Sequence, residues 1–115
     1  MSYQGSYHCG AIAIEVDAEI DGAMSCNCSI CRRRGSLHWF VGRDQLRLQT
    51  PETALSTYTF NKHVLQHRFC AVCGIHVYGE GADPQGKMTA AVNLRCIDGI
   101  DLEAIPVQHY DGSAL

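Results

Sequence analysis

The residues of this chain that could do chemistry are its cysteines. Six of the seven fall into three groups: Cys9 alone, then Cys26, Cys28 and Cys31 in a Cys-x-Cys-x-x-Cys run, then Cys70 and Cys73 in a Cys-x-x-Cys turn followed directly by Gly74. Two thiolates on one tight turn can face a single ion, and the glycine lets the backbone bend beneath them. Zinc is the default ion for a tetrahedral sulfur site. In the run from Cys26, residues two apart in extended chain face one side, and the turn that follows brings the third sulfur back. Three thiolates with no fourth ligand nearby in sequence is the pattern of an open site. A structural zinc closes with four protein ligands, whereas a catalytic one keeps a position for water or substrate. The competing arrangement is one four-thiolate site built from Cys28, Cys31, Cys70 and Cys73. The 38 residues between those two pairs exceed the roughly 15–20 of the common ribbon spacing.

Composition bounds what these thiols can serve. Seven cysteines in 115 residues is an odd number, so they cannot all pair internally, and in a reducing compartment clustered thiols read first as metal ligands. A hydrophobic content of 46% supplies one packed core, and the length fits a single domain over residues 1–115. The net charge of −3 argues against a general nucleic-acid binder, which shows a basic footprint. Apolar runs such as Ala11 to Ile14 are far too short to span a membrane. The opening MSYQGSYHCG has neither the basic n-region nor the apolar h-region of a secretory signal. A cytoplasmic protein with no nucleic-acid or membrane partner is therefore expected. No Gly-rich phosphate loop, Gly-x-Ser-x-Gly elbow or paired-carboxylate motif is present.

The elements that must position the thiols read as short strands cut by turns. Ile12, Ile14 and Val16 alternate with smaller or charged residues, the period of a half-buried strand. Asp21-Gly22 marks a turn. Strands are also expected over 38–41, around Leu46 and Leu48, over the Thr-rich stretch 56–60, over 64–69 and 75–78 on either side of the Cys-x-x-Cys turn, and from Met88 through Leu94. Gly79, Gly81, Asp83-Pro84 and Gly86 read as a loop, and Asp98-Gly99 as a further turn. One short helical turn is expected after Cys31 and another over 101–105. The chain is thus mainly β.

Several further residues have a chemical and a plain reading. Arg32, Arg33 and Arg34 follow Cys31 directly. Their forked guanidinium groups match carboxylates, so they are the candidate binding residues for an anionic ligand; otherwise they are a solvated run. His38 and Trp39 either line a pocket beside the second thiol group or belong to the core. His63, His67, His76 and His109 are scattered through strand-like stretches and read as structural, as does the solitary Cys96.

Three ordered cysteine motifs in so short a chain carry a resemblance. Gly5-Ser6-Tyr7-His8-Cys9-Gly10, Cys26-Asn27-Cys28-Ser29-Ile30-Cys31-Arg32 and His67-Arg68-Phe69-Cys70-Ala71-Val72-Cys73-Gly74 resemble the glutathione-dependent formaldehyde-activating (GFA) family. Val92-Asn93-Leu94-Arg95-Cys96 and His109-Tyr110-Asp111-Gly112 are similar to its C-terminal part. The resemblance implies a small β-tent of two antiparallel sheets built around zinc–cysteine sites, with one to two zinc ions per chain. It implies a structural zinc on Cys9, Cys70 and Cys73, with Tyr7 where the family has its first cysteine. The fourth ligand of that site stays open between water and His8, or the site is empty with Tyr7 packed in it. It implies a second, functional zinc on Cys26, Cys28 and Cys31. The implied activity is the condensation of glutathione and formaldehyde to S-hydroxymethylglutathione, a carbon–sulfur lyase reaction read in reverse. The partners would then be a small thiol such as glutathione and a small aldehyde. The alternative is a non-catalytic zinc- or thiol-binding or interaction module of the same fold.

Overall fold

In a computed structural model of the chain, the structure describes residues 2–6, 9, 13–50, 52–59, 65–82 and 85–111. Ten strands and one short helix form two sheets. The smaller sheet runs β1 (Ser2–Ser6), β2 (Ala13–Asp17) and β5 (Leu46–Leu48), antiparallel throughout. The larger has the order β10-β3-β4-β9-β8-β7-β6. Its members are β3 (Ala23–Cys26), β4 (His38–Gly42), β6 (Leu55–Tyr58), β7 (Gln66–Cys70), β8 (His76–Ala82), β9 (Met88–Asn93) and β10 (Val107–Tyr110).

The alternation seen in the sequence sets which side chains enter the core. Ile14 and Val16 of β2 and Leu46 of β5 are buried, with Ala13, Glu15 and Arg47 between them less so. Trp39 and Val41 of β4, Val77 of β8, and Ala90 and Val92 of β9 come from the larger sheet and join them in one apolar cluster. Each of the valine, leucine and isoleucine side chains contributes roughly 1.5–3 kcal/mol by leaving water. The Tyr3 ring meets Trp39 edge-on with centroids 5.7 Å apart, joining the two sheets, and the Trp39 indole N–H donates to the Glu19 carbonyl at 3.0 Å. Glu80, also buried, accepts from Arg43 at 2.9 Å and from Arg68 at 3.2 Å, tying β7 and β8 to the segment after β4.

The mainly β, two-sheet reading holds, and the differences are local. One pair, β10 beside β3, is parallel, so the larger sheet is mixed. Gly79 and Gly81 lie inside β8 and pair with Ala91 and Thr89. Their lack of side chains reads in sequence as a loop, but the ladder with β9 supplies the order. Leu94 leaves β9 and opens a 3-10 turn through Cys96, capped by the Asn93 side chain. Asp21-Gly22 is an irregular link between β2 and β3. The helix α1 (Ser29–Arg34) begins before Cys31 and includes it. β1 and β10 carry no strong alternation and are held by their neighbours. A Cβ at Gly5 would stand 2.9 Å from the Cys96 carbonyl, so only glycine lets β1 lie this close to the turn at Cys96. Ile12, Phe60, His63, Val64, Asp83 and Pro84 lie outside the described residues.

Candidate metal centres

The first thiol group is built on the turn between β7 and β8. Cys70 ends β7, and its N–H donates to the Ile75 carbonyl at 2.9 Å while the Gly74 N–H returns to the Cys70 carbonyl at 2.9 Å. Gly74 sits at φ 81°, a conformation that side chains disfavour, which explains its place after Cys73. The turn aims the N–H groups of Val72 and Cys73 at the Cys70 sulfur, 3.4 and 3.5 Å away. Burial pushes the Cys70 thiol up, but the two N–H donors and hydrogen bonds with Cys9 and Cys73 outweigh it and bring it down to about 7. Cys9, beyond the end of β1, places its sulfur 3.4 Å from that of Cys70. The sulfurs of Cys9, Cys70 and Cys73 all lie within 4.8 Å of one another. His8, the protein candidate for a fourth ligand, and Tyr7, which would pack in an empty site, lie outside the described residues. Cys96 is buried outside both thiol groups, donating to the His76 carbonyl at 3.5 Å and accepting from the Asn93 amide at 3.7 Å.

The second group is built where β3 runs into α1. Cys26 ends the strand, Cys28 holds the extended N-cap position at ψ 167°, and Cys31 sits one turn into the helix. The Arg32 N–H donates to the Cys28 carbonyl at 2.9 Å, and Gly35, at φ 71°, closes the helix onto the Cys31 carbonyl. This strand-to-helix corner brings the sulfurs of Cys26, Cys28 and Cys31 within 4.8 Å of one another. The four-thiolate alternative joining the two Cys-x-x-Cys pairs is therefore not what forms: the pairs belong to separate groups. Burial and the neighbouring Cys28 and Cys26 push the Cys31 thiol up to about 12. Burial acts the same way on Cys28, but backbone and side-chain hydrogen bonds from Cys31 and Cys26 lower it. The Cys31 thiol, which burial and its neighbours keep from ionising, is a group that a divalent cation would relieve.

Behind Cys31 lies a cluster of basic side chains. The His38 Nε2 is 3.3 Å from the Cys31 sulfur. Arg34, three residues after Cys31 on the same helix, points Nη2 at that sulfur from 4.0 Å and Nη1 at His67 Nδ1 from 3.2 Å. His76 packs beside His67 with ring centroids 6.3 Å apart, and both of its ring nitrogens are buried with no well-formed hydrogen bond among the described residues. Burial first, then the Arg34 charge, pushes His38 down to about 4 and His76 to about 3, so both are neutral imidazoles near neutral pH. His38 thus takes the place its pocket reading gave it, whereas Trp39 is core. Arg32 and Arg33 are exposed and Arg34 is half-buried. The sequence reads His67 and His76 as separate structural residues, but in the β7–β8 hairpin His76 stands opposite Phe69, two positions along β7 from His67, so the two rings are diagonal neighbours on one face.

This ordered set of two sulfur triads matches a known pattern along almost the whole chain. The family model described as "glutathione-dependent formaldehyde-activating enzyme" matches residues 2–110. The chain belongs to this GFA family. A crystal structure of a Rhodobacter sphaeroides protein is similar, with a TM-score of 0.78 and 30% sequence identity, covering 91% of this chain and 99% of that one. Membership supports a glutathione-dependent, formaldehyde-activating type of function in general. Both triads fit a thiophilic metal ion: each offers three sulfur donors at mutual distances that one ion can bridge. Among the described residues no helix is long and apolar enough to cross a membrane.

Proposed function

We propose that this GFA protein is a zinc-dependent carbon–sulfur lyase-type enzyme of the cytoplasm. It acts on the adduct of glutathione, or another small thiol, with a small aldehyde, and in reverse it forms S-hydroxymethylglutathione. On this reading Cys9, Cys70 and Cys73 hold a structural ion, and Cys26, Cys28 and Cys31 hold the functional one, giving one to two zinc ions per chain. The observation that carries the proposal is the convergence of the second triad: among the described residues no further histidine, cysteine or carboxylate lies within 4.8 Å of all three sulfurs, and His38 Nε2 adjoins the Cys31 sulfur alone. That is a donor set with room for one more ligand, and Cys26 and Cys28 are only half-buried, so the opening is reachable. Zinc there supplies one thing, a site where an incoming thiol is held as thiolate at neutral pH.

The chain's own residues supply the rest. Arg32 and Arg33, exposed on α1 next to Cys31, meet the carboxylates of glutathione, an anion overall. In the condensation the thiol sulfur gives an electron pair to the aldehyde carbon and a carbon–sulfur bond forms. The carbonyl π pair moves to oxygen, and the oxygen takes up a proton in place of the one the thiol released. No oxidant or reductant is needed. Ionising a thiol of pKa near 8.5 raises its thiolate population about 30-fold at pH 7, roughly 2 kcal/mol. Most of the acceleration must then come from fixing the two reactants in register.

Cobalt substitution tests the open position, because thiolate-to-cobalt bands report each added sulfur. Elemental analysis should first find one to two metal ions per chain. Titration with glutathione should then change the bands and S-methylglutathione should do so weakly. A spectrum indifferent to glutathione would overturn the proposal.

A further inference from the structure

We infer that Arg34 is a catalytic residue whose guanidinium takes the anionic oxygen formed when the thiol adds to the aldehyde carbon. This rests on the function proposed above and separates Arg34 from Arg32 and Arg33. All three follow Cys31 in sequence, but the helix sends them to different surroundings. Arg32 and Arg33 are exposed at the end of α1, while Arg34 turns inward onto the thiol group.

Three observations assign the role. The first is placement: Nη2 lies 4.0 Å from the Cys31 sulfur, so the guanidinium borders the second triad. The second is that its donors are largely unspent. Among the described residues Nε is buried with no hydrogen-bond partner, Nη2 makes only the long contact to sulfur, and Nη1 meets the His67 ring. The third is the lack of a carboxylate counter-charge: the negative charge that reaches Arg34 is that of the Cys31 and Cys28 thiols, which a bound metal ion would share. Among the described residues no carboxylate pairs with Arg34; its neighbours are a thiol and an imidazole, with His38 on the same sulfur and His76 behind His67. An arginine kept charged at any physiological pH, half out of water and facing no acid, is a standing invitation to an anion.

The choice of anion follows from the reaction. An aldehyde is neutral, and its oxygen gains a full negative charge only as the carbon–sulfur bond forms. A donor aimed there binds the transition state more strongly than the reactants, which is what lowers the barrier. A carboxylate of glutathione carries the same charge before and after, so a half-buried arginine spent on it would raise affinity without raising turnover. The exposed pair, Arg32 and Arg33, suffices for that task.

The test uses thiols that do or do not carry an anionic oxygen near sulfur. On the cobalt-loaded protein, mercaptoacetate places a carboxylate one carbon from its thiol, and ethanethiol has none. Wild type should prefer mercaptoacetate, and Arg34→Met should lower that preference on the order of 10- to 100-fold, the range for a charge-assisted hydrogen bond. Arg34→Lys should retain part of it. The comparison of two ligands within one variant removes general effects on folding, and Arg34→Gln carries it if Arg34→Met does not fold. In turnover, Arg34→Met should lower kcat on the order of 100-fold and move the glutathione titration by much less. An unchanged mercaptoacetate preference overturns the assignment. So does a variant whose glutathione affinity falls while kcat holds, which would make Arg34 a recognition residue. A wild-type protein that binds no thiol overturns the open-site reading, and the role of Arg34 with it.

Discussion

Replacing His76 by glutamine should remove a large part of the protein's sensitivity to acid. His76 is 6% exposed, and burial, then the charges of Arg34, His38 and His67, push it from its ordinary 6.5 down to about 3. The folded state therefore holds His76 neutral while the unfolded chain protonates it below about pH 6.5. Its contribution to stability is complete above that pH and drains away as the pH falls toward 3. The full gap corresponds to about 5 kcal/mol, of which about 2 kcal/mol is lost by pH 5. His38, pushed down to about 4 by burial, Arg34 and His67, loses a similar amount over the same range. Against a typical total of about 5–15 kcal/mol, these two rings alone make acid unfolding steep. Urea unfolding of wild type and His76→Gln at pH 7, 6 and 5 measures this. Protonation of metal-binding thiols also destabilises at low pH, but it acts in both proteins and cancels in the difference. Wild type should lose about 2 kcal/mol more than the variant between pH 7 and pH 5. Equal losses would show that His76 is protonated in the fold, and would refute the neutral, buried imidazole cluster.

Two further outcomes follow from the packing. If the β7–β8 turn holds the proposed structural ion, Cys73→Ser should destabilise the protein on the order of 4 kcal/mol more than Cys31→Ser, because metal affinity there would be folding free energy; equal melting temperatures in calorimetry would contradict the proposed division of labour. Glu80→Ala should cost about 3 kcal/mol in urea unfolding, since it strands Arg43 and the mostly buried Arg68 without their shared carboxylate; a loss below about 1 kcal/mol would mean that solvent already screens both pairs.

What was legible in the sequence was whatever depended on local spacing. Cys70, Cys73 and Gly74 write their turn directly, because one backbone conformation serves both sulfurs and that conformation needs glycine. The alternation of Ile14 and Val16, or of Ala90 and Val92, likewise reports one buried face. β1 and β10 were not legible. The first is held by β2 and by its close approach to the Cys96 turn, the second by a parallel partner 84 positions earlier in register, Ala23 beside Val107. Neither constraint leaves a periodic mark. The basic cluster shows the same limit: His38, His67, His76 and Arg34 come from three strands and a helix, and only the hairpin pairing of β7 with β8 relates any two of them by spacing.

The surroundings of the two triads differ in a way that fits the proposed division between a structural and an exchangeable site. Around Cys70 the donors are backbone N–H groups on a tight turn, fixed once the hairpin has formed. Around Cys31 they are side chains, His38 and Arg34, which can reorient when a ligand arrives. Charge reinforces the difference. Three thiolates on a divalent ion leave one negative charge, and Arg34 offsets it. On the proposed reading a fourth thiolate adds a second negative charge, and the neutral imidazoles of His38 and His76 do not offset that one. On that reading an incoming thiol would be held by the metal but not locked by the protein, and its charge would be relieved as it adds to an aldehyde and the oxygen carries the charge toward Arg34. A second arginine in place of either imidazole would hold the thiolate more tightly and release it more slowly, so on the proposed function the uncharged rings favour exchange at this site.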